Sequence, residues 1–186
     1  MKQVRSVKRI ATAFVTLLVV AVSALSAVAA TSAANLDLLS KSSLIYIATV
    51  RKSGDQSKAV PIWFTTTDDG NVLINTSPDS WKAKRIRRGS PALIWIGKAD
   101  GPAFIGKAEI TNDPKDLDKI VADYPKKYTM AWFGLFRPSR AKYEAGTSVA
   151  IKITPVRDLP EGFQSAPGTP APALDASANS PPAVAH

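Results

Sequence analysis

The sequence predicts a mostly β protein, a largely antiparallel barrel of six strands with small helices at its corners. Three observations carry that prediction. Six short runs dominated by Val, Ile, Thr and aromatic residues recur between residues 44 and 154; clusters of Gly, Asp and Pro separate them; and the intervening stretches with helical spacing are short.

The elements follow in order along the 186 residues. Asn35 is placed as the N-cap of a short helix bearing Leu36, Leu38 and Leu39. The first strand covers residues 44–50 and ends in Arg51-Lys52-Ser53-Gly54-Asp55. A second strand, 59–66, meets a third, 71–76, across Asp68-Asp69-Gly70, a hairpin signal with glycine available for positive φ. Pro61 cannot donate to a ladder, so it places the second strand at an edge or a bulge. Ser77-Pro78-Asp79-Ser80 opens a helix over 81–88, which Gly89 ends. The fourth strand, 92–97, turns through residues 99–102 into the fifth, 103–111. Pro114 starts a helix with Leu117, Ile120 and Val121 at helical spacing. An irregular aromatic stretch and a basic segment lead to a last strand, 148–154, closing at Pro155.

The two ends read differently from this core, which spans residues 36–158. Residues 1–9 carry Lys2, Arg5, Lys8 and Arg9, an uncharged Val/Leu/Ala-rich run follows from Ile10 to Ala30, and the run finishes in small residues. That order is a secretory signal peptide over 1–30, with cleavage after Ala29 or Ala30, and it implies export to the periplasm or the exterior. An uncleaved membrane anchor is the alternative, since 21 uncharged residues can span a bilayer. After cleavage no membrane span is expected. From 159 to 186 the chain holds six of its 14 prolines and no aromatic beyond Phe163, which predicts a disordered Pro/Ala-rich tail, dispensable from about residue 165.

Composition excludes several chemistries. There is no Cys, and the single His is His186, so Ser-His-Asp and Cys-His nucleophiles, Cys/His zinc sites and iron–sulfur clusters have no residues to build them. Without residues 1–30 the net charge falls from +9 to +5, so no nucleic-acid partner is expected. Carboxylate, Lys/Arg, backbone and cofactor chemistry remain.

The densest polar chemistry lies between Asn75 and Arg88. Thr76 and Ser77 offer hydroxyls at a strand end beside a helix start, and Lys82, Lys84 and Arg85 follow within one turn, a grouping suited to phosphate. The competing reading is a solvated basic helix with Trp81 and Ile86 packed inward. Two further patterns are decoys. Residues 101–108 approach a phosphate-binding loop but end in Ala108 where Ser or Thr is required. Asp113, Asp116 and Asp118 sit at a Pro-initiated helix start, where acids favour the macrodipole rather than a metal.

The order of Pro61-Ile62-Trp63-Phe64, the Asp69-Gly70 hairpin, Asn75-Thr76-Ser77, Ser80-Trp81-Lys82-Ala83, Arg88-Gly89-Ser90-Pro91 and Thr154-Pro155-Val156-Arg157 resembles the flavin-binding split barrels. These are relatives of pyridoxamine 5′-phosphate oxidase and include deazaflavin-dependent members. The resemblance implies a six-stranded antiparallel split barrel of the FMN-binding type, working as a homodimer with FMN or a deazaflavin between subunits. It also implies an oxidoreductase moving a hydride between that cofactor and a small organic substrate, the alternative being a flavin or small-ligand binding module without turnover. Carried over by position, Pro61, Ile62, Trp63 and Phe64 line the isoalloxazine ring, Asn75, Thr76 and Ser77 meet the ribityl-phosphate, and Lys82 holds the phosphate with Lys84 and Arg85. Trp63 is also readable as plain core, the commoner role of an aromatic in a strand. No catalytic acid or base and no metal is nominated. Ala59, Phe64 and Trp81 stand where the oxidase itself has basic residues, so the resemblance does not carry vitamin B6 oxidation to this chain. The apolar stretch Trp132-Phe133-Gly134-Leu135-Phe136 is expected at the dimer interface or the ring pocket.

Overall fold

The computed structural model describes residues 31–129 and 137–174. The expected signal segment, the stretch from Trp132 to Phe136 and the end of the tail lie outside the described residues.

Seven strands form one antiparallel sheet: β1 (Ile45–Thr49), β2 (Val60–Ile62), β3 (Thr65–Thr66), β4 (Val72–Thr76), β5 (Ala92–Ile96), β6 (Ala103–Thr111) and β7 (Val149–Asp158), in the order β2-β1-β5-β6-β7-β4-β3. The expected count was six. The seventh arises because the expected second strand is broken, with β2 and β3 at opposite edges of the sheet. Only Trp63 and Phe64 separate them, and so few residues reach no more than about 11 Å. The sheet must therefore curl until its edges approach, and this is what makes it a split barrel, with the split at Trp63-Phe64.

The break has a physical basis. Pro61 has no N–H and stands in an edge strand, where it faces Tyr46, as its chemistry requires. At the break, backbone groups that lose ladder partners are satisfied by a helix. The Phe64 N–H donates to Tyr128 Oη, and that hydroxyl donates back to the Phe64 carbonyl, both at 2.8 Å.

Four helices complete the described chain: α1 (Ala33–Lys41), α2 (Trp81–Ile86), α3 (Pro114–Lys127) and α4 (Arg140–Glu144). The cap of α1 is Ser32, whose Oγ accepts from the Asn35 N–H, so the expected cap at Asn35 moves three residues earlier. Ser80 caps α2 and Asp113 caps α3. Residues 101–108 belong to a turn and β6, not to a phosphate loop. The β3–β4 hairpin turns at Gly70 with φ 79°, as its sequence predicts. The last strand does not close at Pro155. It runs on to Asp158 because Pro155 falls opposite Gly106, at a register shift in the β6 ladder where a missing N–H is tolerated.

Strand alternation sorts the apolar residues into three cores. Ile45, Ile47, Phe64, Ile74, Ile94, Phe104 and Ile153 fill the barrel. Leu73 and Ala150 pack under α3 with Ile120, Tyr124 and Tyr128. Leu93, Trp95 and Ile105 point outward, and the segment after β7 covers them through Leu159, Phe163 and Leu174. Residues 159–174, expected to begin a disordered tail, are instead packed on the sheet. Phe163 stacks on Trp95 at 5.9 Å and its carbonyl accepts from the Trp95 indole N–H at 2.8 Å. Gln56 further donates to Thr169 and Pro170. A fully buried outward tryptophan is the apolar surface that the tail's own composition lacked.

Candidate functional site

The broken strand and the end of β4 form two walls of an open cavity of about 690 Å³. Pro61, Ile62 and Trp63 line one wall and Asn75, Thr76 and Ser77 another, with Tyr124, Lys142, Thr147 and Ser148 around them. The volume lies within the usual range for small-molecule and cofactor sites.

Tyr124 locks the two walls together. Its hydroxyl accepts from the Asn75 N–H at 3.1 Å and donates to the Trp63 carbonyl at 2.8 Å. Burial raises its pKa well above the ordinary tyrosine value, so it remains a donor throughout the physiological range. Trp63 stacks on Tyr128 at 4.5 Å with the rings nearly parallel, and meets Tyr124 edge-on. An aromatic face on one side thus confronts amide and hydroxyl groups on the other. The Asn75 Oδ1 is buried and has no hydrogen-bond partner among the described residues. Unpaired buried acceptors are costly, so this atom is poised for a ligand donor.

Tyr124→Phe is expected to leave the Trp63 carbonyl and the Asn75 N–H without partners and to cost about 1–3 kcal/mol of stability, measurable by urea unfolding. An unchanged midpoint would show that the hydroxyl does not pin the walls.

Six of the ten residues nominated from sequence meet in the cavity; the other four are elsewhere. Phe64 is 0% exposed in the barrel core, with the Lys127 ammonium 3.6 Å from its ring centroid. Trp63 packs with Tyr124 and Tyr128 beside the cavity, whereas Phe64 turns into the barrel core, so only the first of the two reaches the cavity. Lys84 and Arg85 stack instead on Trp81, at 5.8 and 5.5 Å. Lys84 approaches Asp79, and Arg85 donates to Thr49 Oγ1 at 3.1 Å. Lys82 is half-buried outside the cavity lining, without an ion pair among the described residues, and burial lowers its pKa. Its helix is tied to the cavity through Thr76, whose hydroxyl donates to Ser80 Oγ at 3.2 Å.

The inward packing expected of the solvated alternative holds for Ile86 and fails for Trp81, which is 69% exposed. Ala83 and Ile86 fill the buried face of α2, and Trp81 lies about 200° around the helix from Ala83. Sequence reasoning missed Leu44, Tyr124, Lys142, Thr147 and Ser148, which reach the cavity only through tertiary packing. The basic segment before Ala145 was visible, but nothing local marked Lys142. The acids at the start of α3 are also placed. Asp113 accepts from the Lys115 N–H, Asp116 from Thr111 Oγ1, and Asp118 pairs with Arg140.

A family model described as pyridoxamine 5′-phosphate oxidase matches residues 31–157. The chain belongs to the pyridoxamine 5′-phosphate oxidase family. Solved structures agree on the fold. A Listeria innocua protein provisionally described as a pyridoxamine 5′-phosphate oxidase is 17% identical, with a TM-score of 0.51 over 68% of this chain and 94% of its own. A conserved hypothetical protein from Mycobacterium tuberculosis is 22% identical, with a TM-score of 0.51 over 78% of this chain and 98% of its own. No curated protein matches the chain.

Proposed function

We propose that this family member binds FMN in the cavity between Pro61-Ile62-Trp63 and Asn75-Thr76-Ser77 and works as an exported oxidoreductase on a small organic molecule. The observation that carries the reading is the pairing of an aromatic, Trp63-bearing wall with a polar wall whose Asn75 Oδ1 lacks a partner. These residues fit a flavin: a flat ring system needs a broad apolar face, and its ribityl chain and ring amides supply donors for an orphan acceptor. Family membership supports the same cofactor. A bound flavin supplies hydride transfer. The protein's part is to position it, exclude water on the Trp63 side and hold the polar chain at Asn75 and Thr76. Tyr124 keeps the walls in register. Lys82 is assigned to the phosphate by its position in the family pattern, and its half-burial without a carboxylate partner agrees with that role.

A deazaflavin is the alternative cofactor, and binding without turnover is the alternative function. The latter is favoured by the cavity lining, which among the described residues contains no Asp, Glu or His. Expression of residues 31–186, cofactor extraction and titration with FMN and a deazaflavin test the assignment. Flavin reduction by a chemical reductant, followed by reoxidation with candidate acceptors, separates turnover from storage. A protein that stays colourless and binds neither cofactor refutes the reading.

Export rests on the segment before residue 31. Mature material recovered outside the cytoplasm is expected to begin at Ala30 or Thr31, and N-terminal sequencing that finds an intact Met1 favours the anchor instead. Among the described residues no helix is long and apolar enough to cross a membrane. Assembly is proposed to be a homodimer, supported by family membership and by exposed apolar Leu36, Leu38, Val60 and Trp81. Light scattering with FMN present should give twice the chain mass, and a strict monomer at micromolar concentration would count against a shared site.

A further inference from the structure

A second cleft, of about 400 Å³, shares no residue with the cavity. It lies between the turn after β1 and the residues that follow α2, and its lining contains Arg51, Lys52, Arg85 and Arg88 but no acid. We propose that this cleft is a binding site for an oxyanion of the phosphate class carrying at least two negative charges, presented by a free small molecule or by anionic lipid headgroups.

The site is built rather than incidental. The Val50 N–H donates to Ser90 Oγ at 2.8 Å, which fastens one wall to the other. Arg85 is anchored by one donation, from Nη1 to Thr49 Oγ1, and a guanidinium has five N–H donors in a fixed fork. Arg51 sits on a closed turn, where its N–H donates to the Asp55 carbonyl at 2.8 Å and its own carbonyl accepts from Gly54 at 3.1 Å. Some exposed cations elsewhere have acids beside them, such as Lys41 with Asp37, Lys98 with Asp100, and Arg140 with Asp118. Among the described residues no carboxylate lies within 4.0 Å of any of the four cleft cations. Burial and the neighbouring charges of Arg51 and Arg88 lower the Arg85 pKa, a like-charge strain that a bound dianion relieves. Convergence of four cations on one small open cleft favours a compact dianion over an extended polymer, which needs a track of cations.

The test uses residues 31–186, with pyrophosphate in a calorimetric titration and with vesicles of phosphatidylglycerol or phosphatidylcholine in cosedimentation. Arg51→Ala/Lys52→Ala changes two exposed side chains and is not expected to disturb folding; Arg88→Ala is the second variant. Lys98→Ala/Lys107→Ala removes equal charge at distant exposed positions. Each cleft variant should weaken the responding probe by about 10-fold or more, against about 2-fold or less for the control pair. Pyrophosphate binding identifies a free ligand, and binding to phosphatidylglycerol but not phosphatidylcholine identifies a lipid headgroup. Either supports the site when the cleft variants abolish it. FMN affinity should be unchanged in all variants, so failure here is distinguishable from failure of the cofactor reading. The proposal is overturned if neither probe binds, if the control pair weakens binding as much, or if only a single-stranded oligonucleotide binds.

Discussion

A chain ending at residue 158 is expected to lose about 1–2.5 kcal/mol of unfolding free energy, whereas one ending at residue 174 should stay within about 0.5 kcal/mol of the full tail. The difference lies in what the strap covers. Trp95 is fully buried although its side chain points outward from the sheet, and Phe163, Leu159 and Leu174 are the cover. Removing the strap returns about 100 Å² of indole and neighbouring aliphatic surface to water, at about 25 cal/mol per Å². Some of that loss is offset by chain entropy regained when the strap is gone. Phe163→Ala isolates the contact, because it leaves the strap's backbone bonds to Gln56 in place. Urea unfolding of the three proteins decides the matter. If cutting after residue 158 changes the midpoint no more than cutting after residue 174, the strap contributes nothing and the Pro/Ala composition predicted its behaviour correctly.

The strap shows where sequence reading runs out. Composition of residues 159–174 is that of a chain unable to fold by itself, and that inference is physically sound for an isolated segment. What it omits is surface supplied by another part of the chain. Leu93, Trp95 and Ile105 alternate with Ile94, Ile96 and Phe104, so β5 and β6 read as continuous apolar runs rather than half-exposed strands. A strand buried on both faces demands a cover, and this demand was readable in the run at residues 92–96. The identity of the cover was not.

The same division holds at the cavity. Local signals placed the helix starts after Ser80 and at Pro114, the hairpin at Gly70 and the edge position of Pro61, because each depends on one residue's backbone chemistry. The strand break after Ile62 depended on Tyr128, 64 residues away from the Phe64 amide it satisfies. Continuous β propensity through Trp63-Phe64-Thr65 concealed it. Consequently Phe64 was grouped with Trp63 on sequence adjacency although the two side chains pack in different cores. Lys84 and Arg85 were grouped with Lys82 by proximity along a helix, yet that helix turns them onto Trp81.

Lys82→Ala is expected to weaken FMN binding by about 10- to 100-fold, the loss of one charge-assisted hydrogen bond worth about 1.5–3 kcal/mol. Three cations compete for the phosphate on sequence grounds, and the structure separates them. Lys84 already lies beside Asp79, and Arg85 is committed to Thr49 and the second cleft. Lys82 alone of the three has neither an ion pair nor a side-chain hydrogen bond among the described residues, and it stands two residues beyond the Ser80 that accepts from Thr76. Lys142 is the rival, since it lines the cavity from α4, but its Nζ already donates to the Arg137 carbonyl at 2.8 Å. Riboflavin lacks the phosphate, so Lys82→Ala should leave its affinity nearly unchanged, and exposed Lys98→Ala should affect neither ligand. Fluorescence titration of both ligands against Lys82→Ala, Lys142→Ala and Lys98→Ala discriminates the outcomes. If Lys142→Ala alone discriminates FMN from riboflavin, the phosphate lies at the α4 end of the cavity and the assigned orientation is reversed. If Lys82→Ala weakens both ligands equally, its ammonium supports the fold of α2 rather than the phosphate.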